Sequence, residues 1–292
     1  MREVRDWWLP LAKALRVGSS SKILHLYDNP YKSKSVLIYN TDLGYGAKCF
    51  RRGTSDWVFK EHLSLEALAN EAVESGKDDL PDDLVVYTPT NIDRVTQLAN
   101  WYLLKRGLDP MMVYNYNTYL SKSRLRLVYR CVGVDGVVGY IGRDITEKHH
   151  AKVVTYMHNS KRLKHAVFSS PTSSPSRSII VEDVNSAIKL FDICKRAGYN
   201  IEVVSLNGTS GSDQLSLHLM DKDVMLWLDG DTAGERGAVK LFKDLTPLAN
   251  SVKIIRGRLD PKEYDSDVVL DLIWEVINDT QGIKSWVIAD YK

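Results

Sequence analysis

The sequence lacks long apolar runs and is poor in cysteine. Its 292 residues contain no stretch of about eighteen consecutive apolar residues, which is the length that a transmembrane helix requires. The first residues, MREVRDWWLPLAK, lack the apolar core of a signal peptide. The three cysteines are far apart and show no disulfide spacing. We therefore expect a reduced, cytoplasmic protein with no membrane partner.

An excess of one charge is also missing. The chain has 39 Lys and Arg against 37 Asp and Glu, which gives a formal net charge of +2. This balance by itself favours neither a basic nor an acidic partner. The distribution is more informative, because basic residues cluster in the middle of the chain and carboxylates follow short apolar segments in its C-terminal half.

The apolar segment VMLWL, Val224–Leu228, ends in two carboxylates. It is too short for a helix and predicts a buried strand, and the pattern from Ala233 to Lys243 predicts a helix. If the strand continues through Gly230, Asp229 and Asp231 point to the same face. Carboxylate oxygens at this separation suit Mg²⁺. An Asp-Gly turn followed by a helix N-cap is an alternative that these residues alone leave open.

A second apolar segment, Ser178–Val181, ends in Glu182 and leads directly into a helical pattern. Ile201–Leu206 and Val252–Arg256 predict two more strands. Alternating strands and helices predict an open α/β sheet, in which ligand sites gather at the carboxyl ends of the strands. We therefore expect Glu182 to converge with the two aspartates of the DGD motif.

These motifs resemble the Toprim domain of DnaG-like and bacteriophage DNA primases. In that domain one apolar strand ends in Glu, as VED does around Glu182, and another ends in DxDxxG, as DGDTAG does from Asp229. The segment DPKEY from Asp260 resembles a third acidic element of those primases. The sequence departs from the pattern at Asp183, where Gly is usual, and at Ser186, where Asp is usual.

The resemblance implies a fold and a metal site. The fold is α/β and α+β, with a mostly parallel Toprim sheet that has helices on both faces and a basic α+β half before it. The cofactor is Mg²⁺ or Mn²⁺. The implied catalytic residues are Glu182, Asp229 and Asp231, and Asp260 joins them as a metal ligand.

Two basic segments in the middle resemble the basic half of the primase core. Arg143 ends the segment GVVGYIGR, and Lys161 and Arg162 lie in NSKRLKH. Guanidinium and ammonium groups bind phosphates well. The resemblance therefore implies contacts with the nucleotide or the template for Arg143, Lys161 and Arg162, and less strongly for Lys262. A solvated basic loop is the alternative for any single lysine.

The middle of the chain mixes helical and extended patterns. The apolar positions of residues 64–74 and 91–107 predict two helices. Period-two alternation predicts antiparallel strands over Met112–Asn117, Arg124–Val132 and Val137–Arg143.

The N-terminal residues predict a small β-rich module that resembles a primase zinc ribbon. A structural zinc requires four N or S ligands, and Cys49 and His25 alone cannot supply them. We therefore expect a ribbon without zinc, with an unrelated β-module as the alternative. The predicted strands are Lys22–Tyr27, Ser35–Asn40, Ala47–Arg51 and Trp57–Lys60.

Together these features predict a phage-type DNA primase. It would synthesise short RNA primers from ribonucleoside triphosphates on single-stranded DNA by metal-dependent nucleotidyl transfer, in the host cytoplasm. No GxxxxGK(S/T) phosphate loop occurs in the sequence, so we expect a separately encoded replicative helicase as partner. A Toprim nuclease and a non-catalytic nucleic-acid-binding replication protein are the alternatives. The predicted domains are the ribbon-like module 1–60, a helical connector 61–110, the basic subdomain 111–170 and the Toprim domain 171–292.

Overall fold

The computed structural model describes residues 7–24, 34–40, 44–49, 55–60, 79–149, 151–158, 161–170, 174–279 and the backbone of 285–287. The chain divides into two compact units. The first comprises residues 1–77, 81–128 and 142–154, and the second comprises 78–80, 129–141 and 155–292. No helix in the described ranges combines the length and the apolarity needed to cross a membrane.

The first unit begins with the expected β-rich module. Helix α1 (Leu9–Lys13) precedes an antiparallel sheet whose strands follow chain order: β1 (Ser19–Ile23), β2 (Val36–Asn40), β3 (Gly44–Cys49) and β4 (Ser55–Phe59). Alternate residues of β2 and β3 pack against Trp8 and Ala12 of the α1 region. Cys49 is a buried free thiol in this apolar cluster. His25, the other expected zinc-ligand type, lies outside the described residues.

The rest of the first unit contains two short strands and two helices. They are β5 (Leu84–Val86), α2 (Arg94–Lys105), α3 (Pro110–Tyr114) and β6 (Thr118–Ser121). Helix α2 confirms the helix predicted over 91–107, and Asp93 caps it by accepting from the Thr96 amide at 3.2 Å. The helix predicted over 64–74 lies outside the described residues.

The strand predicted over Met112–Asn117 is wrong, because α3 extends to Tyr114 and residues 115–117 form a turn. Pro110 stands in the first turn of α3, where its missing N–H costs nothing. The Asp109 carboxylate accepts a hydrogen bond from the Met111 amide at 2.9 Å. This start signal outweighs the period-two pattern of the residues that follow it.

The second unit contains a large mixed sheet. Its strands are β7 (Arg126–Gly133), β8 (Val138–Asp144), β9 (Val153–His158), β10 (Lys161–Arg162), β11 (Ala166–Phe168), β12 (Arg177–Val181), β13 (Glu202–Ser205), β14 (Asp223–Leu226), β15 (Ser251–Arg256) and β16 (Ser285–Val287). Strands β7, β8 and β9 contribute residues to both units. The strand order is β10-β9-β8-β7-β11-β13-β12-β14-β15-β16. Neighbouring strands from β13 to β16 are parallel, as expected, whereas β11 is antiparallel to β13.

Helices follow the parallel strands. They are α4 (Val184–Arg196), α5 (Asp213–His218), α6 (Thr232–Leu245) and α7 (Ser266–Asn278), with a 3₁₀ turn at Pro261–Glu263. Consecutive residues of β12 and β13 are buried, so both faces of the sheet are covered there. On one face, Ile180, Val204 and Leu226 pack with Leu241 of α6. This packing fixes the strand ends from which the acidic residues project.

Candidate active site

Glu182 and Asp229 come together just beyond the ends of two adjacent parallel strands. Strand β12 ends at Val181, and β14, which pairs with it in parallel, ends at Leu226. The Asp229 amide donates a hydrogen bond to Glu182 Oε1 at 3.2 Å. The predicted convergence of the two acidic motifs is therefore present for this pair.

Gly234 allows helix α6 to begin directly against this pair. A Cβ at position 234 would lie 2.5 Å from Glu182 Oε1 and would also collide with the Asp229 carbonyl. Any other residue would force the helix away from the carboxylates. The glycine of DGDTAG is therefore required by the close packing of the helix against the carboxylates.

Asp231 reaches the site by a different route from the one that the sequence predicts. The strand does not continue through Gly230, so alternation along a strand does not orient Asp231. Instead, Asp231 is exposed and caps α6, with its Oδ1 accepting from the Gly234 amide at 2.8 Å. The capping alternative is therefore correct for Asp231, and its charge still contributes to raising the pKa of Glu182.

The electrostatics of the pair are unfavourable in the absence of a cation. Burial, together with the charges of Asp183, Asp260 and Glu182, raises the pKa of Asp229 to about 7, against the opposite effect of Lys262. Burial also raises the pKa of Glu182, although it accepts the hydrogen bond from the Asp229 amide. Asp229 Oδ1 is buried and has no hydrogen-bond partner among the described residues.

These residues fit a divalent ion. A buried carboxylate oxygen without a donor beside a second carboxylate is an arrangement that Mg²⁺ or Mn²⁺ would neutralise. Within the described ranges no group of three or more His, Cys, Asp or Glu residues is close enough to hold a metal ion. Glu182 and Asp229 are the two carboxylates that such an ion would bind, and the charges of Asp231 and Asp260 lie close enough to affect the pKa of Glu182.

A cleft opens beside Asp229 and Asp231. It has a volume of about 250 Å³ and is bounded by the first turns of α6 and the end of β15, with Glu235, Arg256 and Gly257 at its border. One water occupies about 30 Å³ of liquid volume, so the cleft has room for an ion that keeps several of its waters. The Arg256 guanidinium pairs with Glu235 at 3.2 Å.

Asp260 and Lys262 lie at the same edge, on the 3₁₀ turn. Lys262 is 1% exposed, and its Nζ donates to Asp183 Oδ2 at 2.8 Å and to Asp260 Oδ2 at 2.6 Å. This buried placement does not offer the Lys262 ammonium to a template strand. It identifies Asp183, one of the departures from the primase pattern, as a partner of Lys262.

Sequence reasoning missed Lys189. Its Nζ donates to the carbonyl oxygens of Lys262 and Tyr264, both at 2.7 Å, and so ties the 3₁₀ turn to α4. Burial lowers the pKa of Lys189 to about 8. The available signal was a lysine inside the apolar pattern of α4, between Ile188 and Leu190.

The basic segment of the second unit leads to the same edge of the sheet. Ala166, the first residue of β11, pairs with Ser205, and Ser205 pairs with Val181, the residue before Glu182. Two strand spacings, about 10 Å, therefore separate Ala166 from Val181. Arg162 is exposed on β10, four residues before Ala166, and for Lys161 the described part is the backbone.

Arg143 belongs to the first unit, near the end of β8, and is half-buried. It lies within electrostatic range of Arg106, which pairs with Glu147.

Comparisons with known proteins bear on the fold. No protein-family model matches the sequence, and no curated protein matches it. The structure is similar to the zinc-binding and RNA polymerase domains of the Aquifex aeolicus primase, with a TM-score of 0.51 and 16% identity over 95% of this chain and 84% of that one. The predicted primase fold is confirmed by this similarity, including a β-rich module at the N-terminus.

Two bacteriophage T7 structures are also similar, at lower scores. The primase fragment of the T7 primase-helicase protein has a TM-score of 0.46 and 11% identity over 88% of this chain and 98% of that one. A structure of the T7 lagging-strand DNA polymerase interacting with primase domains has a TM-score of 0.42 and 16% identity over 63% of this chain and 92% of that one.

Proposed function

We propose that this chain is a phage-type DNA primase that synthesises short RNA primers from ribonucleoside triphosphates on single-stranded DNA. The observation that carries the proposal is the Glu182 and Asp229 pair, which lies at the carboxyl edge of the sheet in a chain with a primase fold. Ligand sites of open α/β sheets gather at this edge. A replicative helicase is the proposed partner.

The carboxylates of Glu182 and Asp229 would hold the divalent ion, and Asp231 and Asp260 would add negative charge beside it. When bound, Mg²⁺ or Mn²⁺ supplies Lewis acidity that lowers the pKa of the attacking 3′ hydroxyl and stabilises the charge of the departing pyrophosphate. Asp229 contributes a desolvated oxygen to which none of the described residues donates a hydrogen bond. Burial and the neighbouring carboxylates disfavour the charged form of Asp229, so a bound divalent ion would stabilise that charge.

Other residues orient the nucleic acid and the nucleotide. Arg162 is an exposed residue in the segment that leads to the carboxyl edge, and its guanidinium is proposed to contact template phosphates. Lys161 and Arg143 have the same proposed role, and we do not extend it to the buried Lys262. None of these residues needs to act as a nucleophile, because the 3′ hydroxyl attacks the α-phosphate.

The test is incubation of the chain with a single-stranded DNA template, labelled ribonucleotides and Mg²⁺ or Mn²⁺. We expect short RNA products, and we expect Asp229→Asn to abolish them while the protein stays folded. Asp271→Asn, which removes an exposed carboxylate of α7, is the matched control and should leave synthesis unchanged. Shortened DNA would identify a nuclease instead, and unchanged substrates with retained DNA binding would identify a non-catalytic binder.

A further inference from the structure

The carboxyl edge of the sheet, where the acidic residues lie, already contains a positively charged side chain, that of Lys262. The Lys262 ammonium is bonded to Asp183 Oδ2 at 2.8 Å and to Asp260 Oδ2 at 2.6 Å, and the residue is 1% exposed. A buried ammonium requires such partners, because an unpaired one would be strongly destabilising. Lys262 therefore commits one oxygen of each of the two carboxylates.

The remaining acceptor capacity of Asp183 is also used. Its Oδ1 accepts from the amides of Asn185 at 2.7 Å and Ser186 at 3.2 Å, which caps helix α4. Its Oδ2 accepts from the Ser186 hydroxyl at 3.3 Å in addition to Lys262. Asp229 Oδ1, by contrast, is buried and receives no hydrogen bond from the part of the chain that the structure describes. The edge thus contains one carboxylate whose oxygens are all bonded and one that keeps an oxygen for a ligand.

The position of Lys262 is fixed from several sides. Lys189 bonds the carbonyl oxygens of Lys262 and Tyr264. The Tyr264 hydroxyl accepts from the Leu259 amide at 3.2 Å, and its ring packs against Trp227 with 5.8 Å between centroids. These contacts hold the turn to α4 and to Trp227, just beyond the end of β14, and so fix the backbone from which the Lys262 ammonium reaches Asp183 and Asp260.

From these contacts, the geometry points to Lys262 as a fixed internal cation that takes the place of a second divalent ion, so that the edge binds one divalent ion per chain, at Glu182 and Asp229. This inference rests on the proposed function and specifies its metal stoichiometry. Lys262 is a positioning residue, since it acts through Asp183 and Asp260. A second divalent ion at these carboxylates would lie beside the ammonium and would be repelled by it.

The test counts Mn²⁺ bound to the full chain, by electron paramagnetic resonance of the free ion during a titration with Mn²⁺ alone. We expect one ion per chain for the unchanged protein. Lys262→Gln, which removes the charge but keeps a hydrogen-bond donor, should bind two. Lys262→Arg, which keeps the charge, should bind one.

Lys222→Gln is the matched control. It breaks another ion pair, between the partly buried Lys222 Nζ and the buried Glu202 Oε1 at 2.7 Å, at the opposite ends of the strands. It should lower the melting temperature and leave the count at one. If Lys262 had only a structural role, Lys262→Gln would likewise lower the melting temperature and bind one ion.

Two ions on the unchanged chain, or one ion on folded Lys262→Gln, would overturn the inference. The count on the unchanged chain needs no variant, so it can refute the inference even if Lys262→Gln does not fold. Asp229→Asn separates this failure from that of the proposed function. An unchanged Mn²⁺ count in Asp229→Asn would contradict the proposed metal site, whatever the Lys262 variants bind.

Discussion

The two edges of the parallel strands treat buried carboxylates differently. At the amino edge, hydrogen-bond donors surround the Glu202 carboxylate, whereas at the carboxyl edge one oxygen of Asp229 has no donor among the described residues. Glu202, which begins β13 and is 2% exposed, accepts from the Ser178 hydroxyl, from His218 Nε2 at 3.0 Å and from Lys222 Nζ at 2.7 Å. In the described ranges no donor reaches Asp229 Oδ1. The two edges belong to the same unit and the same sheet.

The pKa values of Glu202 at the amino edge and Asp229 at the carboxyl edge are shifted in opposite directions. Burial by itself would raise the pKa of Glu202, but the hydrogen bonds from His218, Lys222 and Ser178 lower it. Burial raises the pKa of Asp229 to about 7, and nearby carboxylates reinforce this effect. The comparison shows that donors, rather than burial, decide whether a carboxylate stabilises the fold. The amino edge is built for stability, and the carboxyl edge leaves charge available for a ligand.

The largest expected effect is on activity at the carboxyl edge. Glu182→Gln should reduce primer synthesis by more than roughly 100-fold, since even groups that only support metal ligands cost about 10- to 100-fold when they are removed. Its melting temperature should not fall, because the substitution removes a repelled charge. Ribonucleotide incorporation and thermal unfolding on the same sample measure both. Unchanged incorporation would remove Glu182 from the site.

The corresponding change at the amino edge should affect stability instead. Glu202→Gln exchanges charge-assisted hydrogen bonds for neutral ones, and we expect it to lower the free energy of unfolding by about 1.5–3 kcal/mol. Primer synthesis per folded molecule should stay the same. Denaturant titration gives the stability. If Glu202→Gln lost activity without losing stability, the contrast between the two edges would not hold.

A smaller effect concerns the pH dependence of stability without metal. The pKa of Asp229 is about 7 in the folded state and about 4 when unfolded, so between these values the folded state binds the extra proton. Stability should therefore fall as the pH rises from about 4 to about 7. Asp229→Asn should remove this loss and gain about 1–2 kcal/mol at pH 8, a figure reduced for the partial exposure of the side chain.

Thermal unfolding across this pH range in the presence of a chelator measures the effect. Asp271→Asn should keep the pH profile of the unchanged protein. A profile of Asp229→Asn parallel to that of the unchanged chain would contradict the raised pKa.

The smallest expected effect is at the basic segment. Arg162→Ala should weaken binding of single-stranded DNA by a few-fold and reduce the slope of log affinity against log salt by about 0.7, the contribution of one phosphate contact. Arg196→Ala, which removes an exposed arginine of α4, should change neither quantity. Fluorescence anisotropy at several salt concentrations distinguishes the two variants. An equal loss of affinity in both variants would show that net charge, rather than a contact made by Arg162, causes the effect.

Local patterns made the main features of the carboxyl edge predictable. Each of the strands β12 and β14 is a short apolar run followed by an acid, and sheet topology brings the ends of such strands together. The position of Glu182 beside Asp229 follows from these two signals. The wrong strand over Met112–Asn117 also had a local cause, since the Asp109-Pro110 start signal was present in the sequence.

The remaining features depend on contacts between distant residues. Lys262 pairs with Asp183 across 79 positions, and Lys189 reaches the Tyr264 carbonyl across 75. Neither pair has a spacing that a sequence pattern can reveal. The same holds for the donors around Glu202, and for β11, which joins the parallel strands in the antiparallel direction. Tertiary packing alone determines which buried charges meet.

The central claim is that Glu182 and Asp229 together bind the divalent ion. Anomalous diffraction from crystals of the full chain soaked in Mn²⁺ tests it most directly. We expect a single strong peak within about 2–2.5 Å of carboxylate oxygens of both Glu182 and Asp229. A peak bound elsewhere in the chain, or no peak at this edge at saturating Mn²⁺, would contradict it.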